Sequence, residues 1–201
     1  MSTHANGHEK GGRAARPRES AVTTLLSEPV VTSTRGERML ASGHWLLSAA
    51  PDVHRSQDEW RTRGWTWLRP GVLFGAVMVR ASLVHAALGL DDPVACRQPL
   101  AKHLVGPVFY SPDLFGREGA YTVMVTASTA MGWRAIGSVA HDYRATLRIP
   151  RPDLIDPPED GSPWWVVPLD GPGVLCKARP LIAFISAGRQ ATGRSGGEND
   201  V

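Results

Sequence analysis

Residues 72–79 read VLFGAVMV and residues 82–90 read SLVHAALGL, and these two runs decide how the rest of the chain is interpreted. The first run is apolar throughout and follows a Pro-Gly turn, which predicts a central strand buried on both faces. The second begins with Ser82, a favourable helix N-cap, and reaches Gly89, where a left-handed C-cap costs little. The stretch therefore predicts a strand followed directly by a helix.

Helical and strand-like patterns alternate on both sides of this unit. The predicted helices are residues 35–50, 56–61, 130–136 and 179–187. The predicted strands are residues 65–68, 104–110, 120–126, 144–149 and 164–169. The strands at 104–110 and 120–126 are predicted to form a hairpin, Pro168 indicates an edge strand, and Gly188 is expected to end the last helix. The fold class is therefore α/β, as an α+β mixed sheet with flanking helices, in a single domain over residues 35–188.

The chain carries 22 Lys/Arg against 19 Asp/Glu, a formal net charge of +3. Residues 1–20 hold four Lys/Arg against two Glu and no large apolar residue after the initial methionine, so we expect a disordered basic tail there. Residues 189–201 are balanced in charge and are expected to form a second disordered tail. Little net charge is left for the domain, so composition alone does not indicate an anionic partner.

Cysteine, histidine and apolar spacing limit the function classes. Cys96 and Cys176 lie far apart, and outside the tail, which holds His4 and His8, the histidines share no metal-ligand spacing, so we expect no structural metal and no cofactor. No apolar run reaches the roughly 18 residues of a membrane span, and no signal-peptide pattern follows the N-terminal charges. We therefore expect a cytoplasmic protein without a membrane partner.

Common catalytic motifs are absent from the sequence. There is no nucleophile-elbow motif, no phosphate-binding Gly-rich motif and no zinc-protease motif. A pair of divalent cations needs closely placed carboxylates, but the run at 72–79 contains no acidic residue. The central strand therefore predicts no metal-dependent chemistry.

Three tryptophans, Trp60, Trp65 and Trp67, lie close together and have two possible roles. Exposed aromatic rings can serve as stacking platforms for nucleic-acid bases. Large aromatic side chains also cover the edges of sheets, and this second role is favoured because few basic residues accompany them.

Short motifs between Trp45 and Gly188 follow an order that resembles a known family. They are WLLSAAPD at 45–52, the apolar strand at 72–79, GPV at 106–108, the strand and small residues at 121–130 before Trp133, RIP at 148–150, WWVVP at 164–168 and GPGVL at 171–175. This order resembles small actinobacterial proteins described as bifunctional DNA primase/polymerase N-terminal domain-like, of the archaeo-eukaryotic primase superfamily. The resemblance implies a single primase/polymerase-like domain that acts in DNA replication or a related process.

The resemblance also implies where catalytic residues should lie. In that superfamily a strand with two acids binds metal ions, a Ser-x-His motif contacts the nucleotide, and a later acid completes the site. Here the matching strand has no acid, and Ser138 and His141 are separated by one residue too many. His141 and Asp170 are the remaining catalytic candidates. The resemblance therefore implies a degenerate member that is not an enzyme and binds DNA or a protein partner in replication, plasmid transfer or regulation.

Two other functions stay open at this point. One is an active DNA primase/polymerase that uses Mg²⁺ or Mn²⁺ on other acids, such as Asp142, Asp153 or Asp170. The other is a regulatory protein-interaction module without nucleic-acid binding. The sequence does not indicate the oligomeric state.

Arg144, Arg148 and Arg151 are the candidate nucleic-acid-binding residues. On an alternating strand over 144–149, Arg144 and Arg148 would point outward as a basic strip, and the prolines beside Arg151 would hold the chain extended. The strip would contact phosphate groups. The alternative is that these arginines form ion pairs with acids of the adjoining loop, which are Asp153, Asp156 and Glu159.

Overall fold

Seven strands and six helices make up residues 34–196, the part of the chain that the structure, a computed structural model, describes. The helices are α1 (Arg35–Leu47), α2 (Val53–Arg63), α3 (Ala81–Leu88), α4 (Arg97–His103), α5 (Ala127–Met131) and α6 (Ala178–Gly196). The strands are β1 (Trp65–Leu68), β2 (Gly75–Arg80), β3 (Val108–Ser111), β4 (Ala120–Val125), β5 (Ser138–His141), β6 (Leu147–Pro150) and β7 (Trp164–Val167).

Five strands form one sheet in the order β5-β2-β4-β3-β7, and each neighbouring pair is antiparallel. β1 and β6 pair separately as a two-stranded antiparallel ribbon. These findings confirm the α+β class with flanking helices, the hairpin of β3 and β4, and the edge position of β7. The apolar run at 72–79 does give an interior strand, but β4 and not β2 lies at the centre of the sheet.

The strand predicted at 72–79 begins three residues late. Val72 is 97% exposed because a turn precedes the strand, in which the Gly71 amide donates to the Phe74 carbonyl at 2.7 Å. The strand pairs only from Gly75 onward. An apolar run therefore predicts too long a strand when its first residues form a hydrogen-bonded turn.

Helix α3 confirms the predicted Gly89 C-cap but not the Ser82 N-cap. Gly89 is left-handed, with φ 65°. β2 runs directly into the helix, so Arg80 occupies the N-cap position without a side-chain cap bond. The amide and the hydroxyl of Ser82 instead donate to the carboxylate of Glu118, which satisfies a free amide of the first turn from another loop.

Helix α6 passes through Gly188 and continues to Gly196, so the prediction that it ends at Gly188 is wrong. A Cβ at Gly188 would lie 2.2 Å from the Leu83 carbonyl oxygen of α3. The glycine is therefore needed for close helix packing and not for termination. The predicted tail at 1–20 lies outside the described residues, as do residues 197–201 of the tail predicted at 189–201. Residues 189–196 of that second tail are helical.

Other element bounds also differ from the predictions. α2 is longer because Asp52 caps its start and left-handed Gly64 ends it. α5 begins at Ala127, since the Thr126 hydroxyl accepts the Thr129 amide, and it ends before Gly132. The predicted strand at 144–149 is paired only over β6, and α4 and β5 were not predicted.

Different elements pack against the two faces of the five-stranded sheet. On the helical face, α3, α4 and α6 pack around a cluster that includes Val77 and Val123. On the ribbon face, α1, α2 and the β1–β6 ribbon pack around Phe74, Met124 and Trp165. Of the helices in residues 34–196, none has the length and apolar character that crossing a membrane requires.

Candidate functional site

Two adjoining cavities open on the ribbon face. The inner cavity has a volume of about 400 Å³ and lies between the sheet and the ribbon. The outer cleft has a volume of about 770 Å³ and lies between the end of α2, the β3–β4 loop and the loop before β7. Trp65 and Arg148 line both cavities. These two side chains therefore join the cavities into one candidate site.

The sheet forms the floor of the inner cavity. Met78 of β2 lies opposite Thr122 of β4, and Thr122 lies opposite Phe109 of β3, so the three side chains project from the same face. His141 of β5 extends this floor beyond β2. The wall opposite contains the indole ring of Trp67. The cavity is thus a mainly apolar recess whose floor carries Ser111, on the same face of β3 as Phe109, and two further polar groups, those of Thr122 and His141.

Those two polar groups have no hydrogen-bond partner within the described part of the protein. The Thr122 hydroxyl is fully buried, and Oγ1 of Thr122 and Nε2 of His141 are both unpaired. A buried polar atom without a partner costs about 1–3 kcal/mol, so native structures seldom keep one without a role. Burial lowers the pKa of His141, against the opposing charge of Asp142. The imidazole is therefore neutral near pH 7, with one ring nitrogen as donor and the other as acceptor.

Trp65 is held between arginines where the cavities meet. The guanidinium groups of Arg148 and Arg63 lie 5.4 and 5.8 Å from its ring centroid, and Trp67 packs edge-on at 5.6 Å. The Arg148 Nη2 donates to Asp113 at 2.6 Å, and the Arg148 side chain is only 22% exposed. Cation–π contacts and an ion pair thus fix both side chains at the cavity mouth.

The outer cleft contains two further arginines, Arg63 and Arg117, that form no ion pair with a described residue. Arg117 lies in the β3–β4 loop with φ 76°, an uncommon conformation for a residue with a side chain. Asp160 faces the same cleft and accepts the amide and the hydroxyl of Ser162, which lowers the pKa of its carboxyl. With Asp113 already paired to an arginine, the cleft presents more unpaired positive than negative charge.

The structure brings together only two of the five predicted site residues. His141 and Arg148 line the inner cavity. Asp170 lies elsewhere, with its side chain 77% exposed and paired to Arg38 at 2.8 Å. The remaining two, Arg144 and Arg151, do not line either cavity.

The predicted outward strip of Arg144 and Arg148 is wrong in its geometry. Arg144 lies in a turn before β6, where its Nε donates to the Tyr143 hydroxyl at 3.2 Å. Arg148 does project from the side opposite the buried Leu147, but the ribbon turns that side toward the cavity. Arg151 forms the alternative ion pair with Asp153. Whether any of these arginines binds nucleic acid stays a prediction.

The acids proposed for a polymerase site do not converge. The Asp142 carboxylate accepts the Arg144 amide, whereas Asp153 and Asp170 form separate ion pairs. Within residues 34–196, no three His, Cys, Asp or Glu side chains are grouped so that they could hold a metal ion. The hydroxyl of Ser138 accepts the Trp133 indole N–H at 2.9 Å, so it serves the fold.

The three clustered tryptophans divide between the two roles considered for them. Trp60 is buried, and its indole N–H donates to the Ile149 carbonyl at 3.1 Å. Trp65 and Trp67 line the inner cavity, and Trp67 is 43% exposed. The covering role therefore applies to Trp60, whereas the rings of Trp65 and Trp67 line the cavity, where Trp65 already contacts two arginines.

Sequence patterns did not identify Thr122, Asp113 or Arg117 as site residues. A signal existed for Thr122, because it is the only aliphatic hydroxyl in the run Ala120–Val125, whose other hydroxyl belongs to the aromatic ring of Tyr121. A polar residue with apolar neighbours in a central strand indicates either a buried hydrogen bond or a cavity. The other two depend on how the β3–β4 loop folds over the cleft, which spacing does not show.

Comparisons of this chain with models of protein families, with curated proteins and with solved structures found no match.

Proposed function

We propose that this domain binds single-stranded DNA without converting it, as a primase/polymerase-like module in a DNA-linked process. The main support is one observation, which is that two aromatic rings and three arginines converge on the joined cavities. The residues are Trp65, Trp67, Arg63, Arg117 and Arg148. Proteins that bind single strands combine such stacking rings with positive charge along the backbone path. The resemblance of segments 45–188 to primase/polymerase-like domains is a separate, sequence-based reason to expect DNA.

Single-stranded nucleic acid fits this surface better than duplex. Base stacking on an aromatic ring contributes about 1–3 kcal/mol per base, and it requires bases that are free to leave a duplex stack. The stacking rings line a recess between the ribbon and the sheet, which a base that is free of a duplex can enter. The arginines of the outer cleft are placed to contact the phosphates on either side of a stacked base.

The test is fluorescence anisotropy of a labelled single-stranded oligonucleotide, measured over a series of salt concentrations. The double variant Arg63→Ala/Arg117→Ala removes the two arginines without an ion pair. If each contacts one phosphate, affinity falls and the salt slope becomes shallower by about 1.4, at about 0.7 per phosphate. The variant Trp67→Ala is expected to weaken binding at every salt concentration with an unchanged slope.

The matched control is Arg55→Ala/Arg61→Ala. It removes the same charge from α2, where both arginines are exposed and pair with Glu59 and Asp58. We expect this control to bind as the wild type does. Equal weakening by both double variants would show that only net charge matters and would contradict a site at the cleft.

Two results would favour the other functions. Template-dependent incorporation of labelled nucleotide with Mg²⁺ or Mn²⁺, abolished by Asp170→Asn, would indicate an active primase/polymerase. Absence of oligonucleotide binding at low salt would remove the DNA proposal and leave the protein-interaction module.

A further inference from the structure

We infer that the inner cavity is a pocket for one nucleobase of the bound strand, hydrogen-bonded by Oγ1 of Thr122 and Nε2 of His141. This inference deepens the proposed function and rests on it. The observation that carries it is that both atoms are buried and have no partner in the described part of the protein, and that both residues line the cavity. The outer cleft then holds the phosphates that flank this base.

The volume and walls of the cavity suit a flat heteroaromatic ring. About 400 Å³ lies within the range of about 300–1,000 Å³ typical of small-molecule sites. The walls are mostly aromatic or aliphatic, with Trp67, Met78, Phe109 and Leu147 among them. Such walls favour stacking and van der Waals contact with a ring over contact with a charged group.

The polar groups of the floor define the edge that the ring must present. A threonine hydroxyl donates one hydrogen bond and accepts others, and a neutral imidazole nitrogen either donates or accepts. Either atom can therefore pair with a donor or with an acceptor on one edge of an uncharged ring. Nucleobases carry both kinds of group on their Watson–Crick edge, which a base can expose only in a single strand or after leaving the duplex.

Other ligand classes fit less well. A metal ion would need more ligands than one histidine and one threonine, and the Asp113 carboxylate at the mouth is already paired with Arg148. An acyl chain would leave Thr122 and His141 without partners. Water needs two to four polar partners per molecule, and the mainly apolar walls supply few.

Arg148 connects this pocket to the strand. It lines both cavities, and its contacts with Asp113 and the Trp65 ring fix its position at the junction. A base inside the pocket brings its own phosphate to this junction, next to the arginines of the outer cleft. The pocket would thus hold one nucleotide of the strand in a fixed register.

The test uses the four common deoxynucleosides, which lack phosphate and so do not depend on the outer cleft. Each is titrated into wild-type protein and into three variants, with binding followed by ligand-detected NMR. Thr122→Val keeps the shape of the side chain and removes its hydroxyl, and Thr122→Ser restores a hydroxyl. Thr192→Val is the matched control, because Thr192 lies in α6, lines neither cavity, and has a hydroxyl that donates to the Gly188 carbonyl.

We expect at least one deoxynucleoside to bind the wild type and to bind Thr122→Val about five- to tenfold more weakly, the loss of one hydrogen bond. Thr122→Ser and Thr192→Val should bind as the wild type does. The inference is overturned if none of the four deoxynucleosides binds, or if Thr122→Val binds them as well as the wild type.

The oligonucleotide measurement separates this inference from the proposed function. If Arg63→Ala/Arg117→Ala weakens oligonucleotide binding but Thr122→Val affects neither oligonucleotide nor nucleoside, the base pocket is refuted and DNA binding stands. If nucleosides bind through Thr122 but oligonucleotides do not bind, DNA binding is refuted and the base pocket stands.

Discussion

The helical face and the ribbon face of the sheet differ in how closely other elements pack against them. On the helical face α6 approaches α3 so closely at Gly188 that no side chain fits between them. On the ribbon face β1 carries the large rings of Trp65 and Trp67, and a cavity remains between the ribbon and Thr122 and His141. Close packing on one face thus supplies stability, whereas the incomplete cover on the other leaves polar groups available for a ligand.

The largest expected effect comes from the substitution Gly188→Ala on the helical face. The new Cβ would meet the Leu83 carbonyl oxygen at 2.2 Å, which forces the two helices apart. We expect the free energy of unfolding to fall by about 1–3 kcal/mol. Urea denaturation followed by circular dichroism measures this change.

Gly193→Ala, in the same helix, is the control for this prediction. A Cβ there meets nothing within 4 Å, so the higher helix propensity of alanine should stabilise the protein by roughly 0.5–1 kcal/mol. Stabilisation by both substitutions would contradict the close approach of α3 and α6.

The second prediction compares one substitution at two fully buried threonines. The Thr66 hydroxyl donates to the Glu59 carboxylate at 2.7 Å, whereas the Thr122 hydroxyl has no partner among the described groups. Thr66→Val should therefore destabilise the protein by about 1–2 kcal/mol, and Thr122→Val should stabilise it by about 1 kcal/mol. Thermal denaturation of both variants distinguishes these signs, and a loss of stability in Thr122→Val would mean that its hydroxyl is satisfied.

The sequence predicted elements well where local chemistry decides the structure. Trp60 and the stop at Gly64 gave α2 its position, but the predicted start at residue 56 missed the Asp52 cap. α4 was missed because its start, Arg97-Gln98-Pro99, lacks a capping side chain and carries a proline. Gly188 was misread because a helix stop and a close helix contact both favour glycine. Only the position of α3 distinguishes these two roles.

The candidate site was less predictable than the fold. His141 and Arg148 were selected from a motif spacing and from strand alternation, and the structure places them in one cavity for a reason that neither pattern contains. Strand β4 of the sheet and strands β1 and β6 of the ribbon meet at this cavity. The site therefore depends on contacts between residues that are distant in sequence. Thr122 could have been noticed as an isolated hydroxyl, but its missing partner is visible only in three dimensions.

A smaller effect is expected from pH. Burial lowers the pKa of His141 below the ordinary histidine value of about 6.5. As the pH falls below about 6.5, the unfolded chain therefore takes up a proton that the folded protein does not. The free energy of unfolding should therefore decrease as the pH falls below that value. His85, whose pKa burial also lowers, contributes in the same direction.

Denaturation between pH 7.5 and about pH 5.5 measures this dependence. His141→Asn should make it shallower but not remove it, because His85 remains. Val139→Asn, at a half-exposed position on the same strand, leaves the titratable groups unchanged and should keep the wild-type slope. A wild-type slope in His141→Asn would contradict burial of this imidazole.

The smallest effect is expected at Asp170, which lies on neither cavity. Its ion pair with Arg38 is exposed, and such pairs contribute less than about 1 kcal/mol. Asp170→Asn should therefore change the free energy of unfolding by less than that amount and leave oligonucleotide binding unchanged. A marked loss of oligonucleotide binding would place Asp170 in the binding surface and contradict the cavity-centred site.

The central claim is that the ribbon face binds the ligand and the helical face does not. NMR shift changes in labelled protein on addition of a single-stranded oligonucleotide test this claim most directly. The account predicts the largest changes at the Thr122 and Met78 methyl groups and the Trp65 indole N–H, with none near Leu83 and Gly188. Changes concentrated around Leu83 and Gly188, or no changes at all, would contradict it.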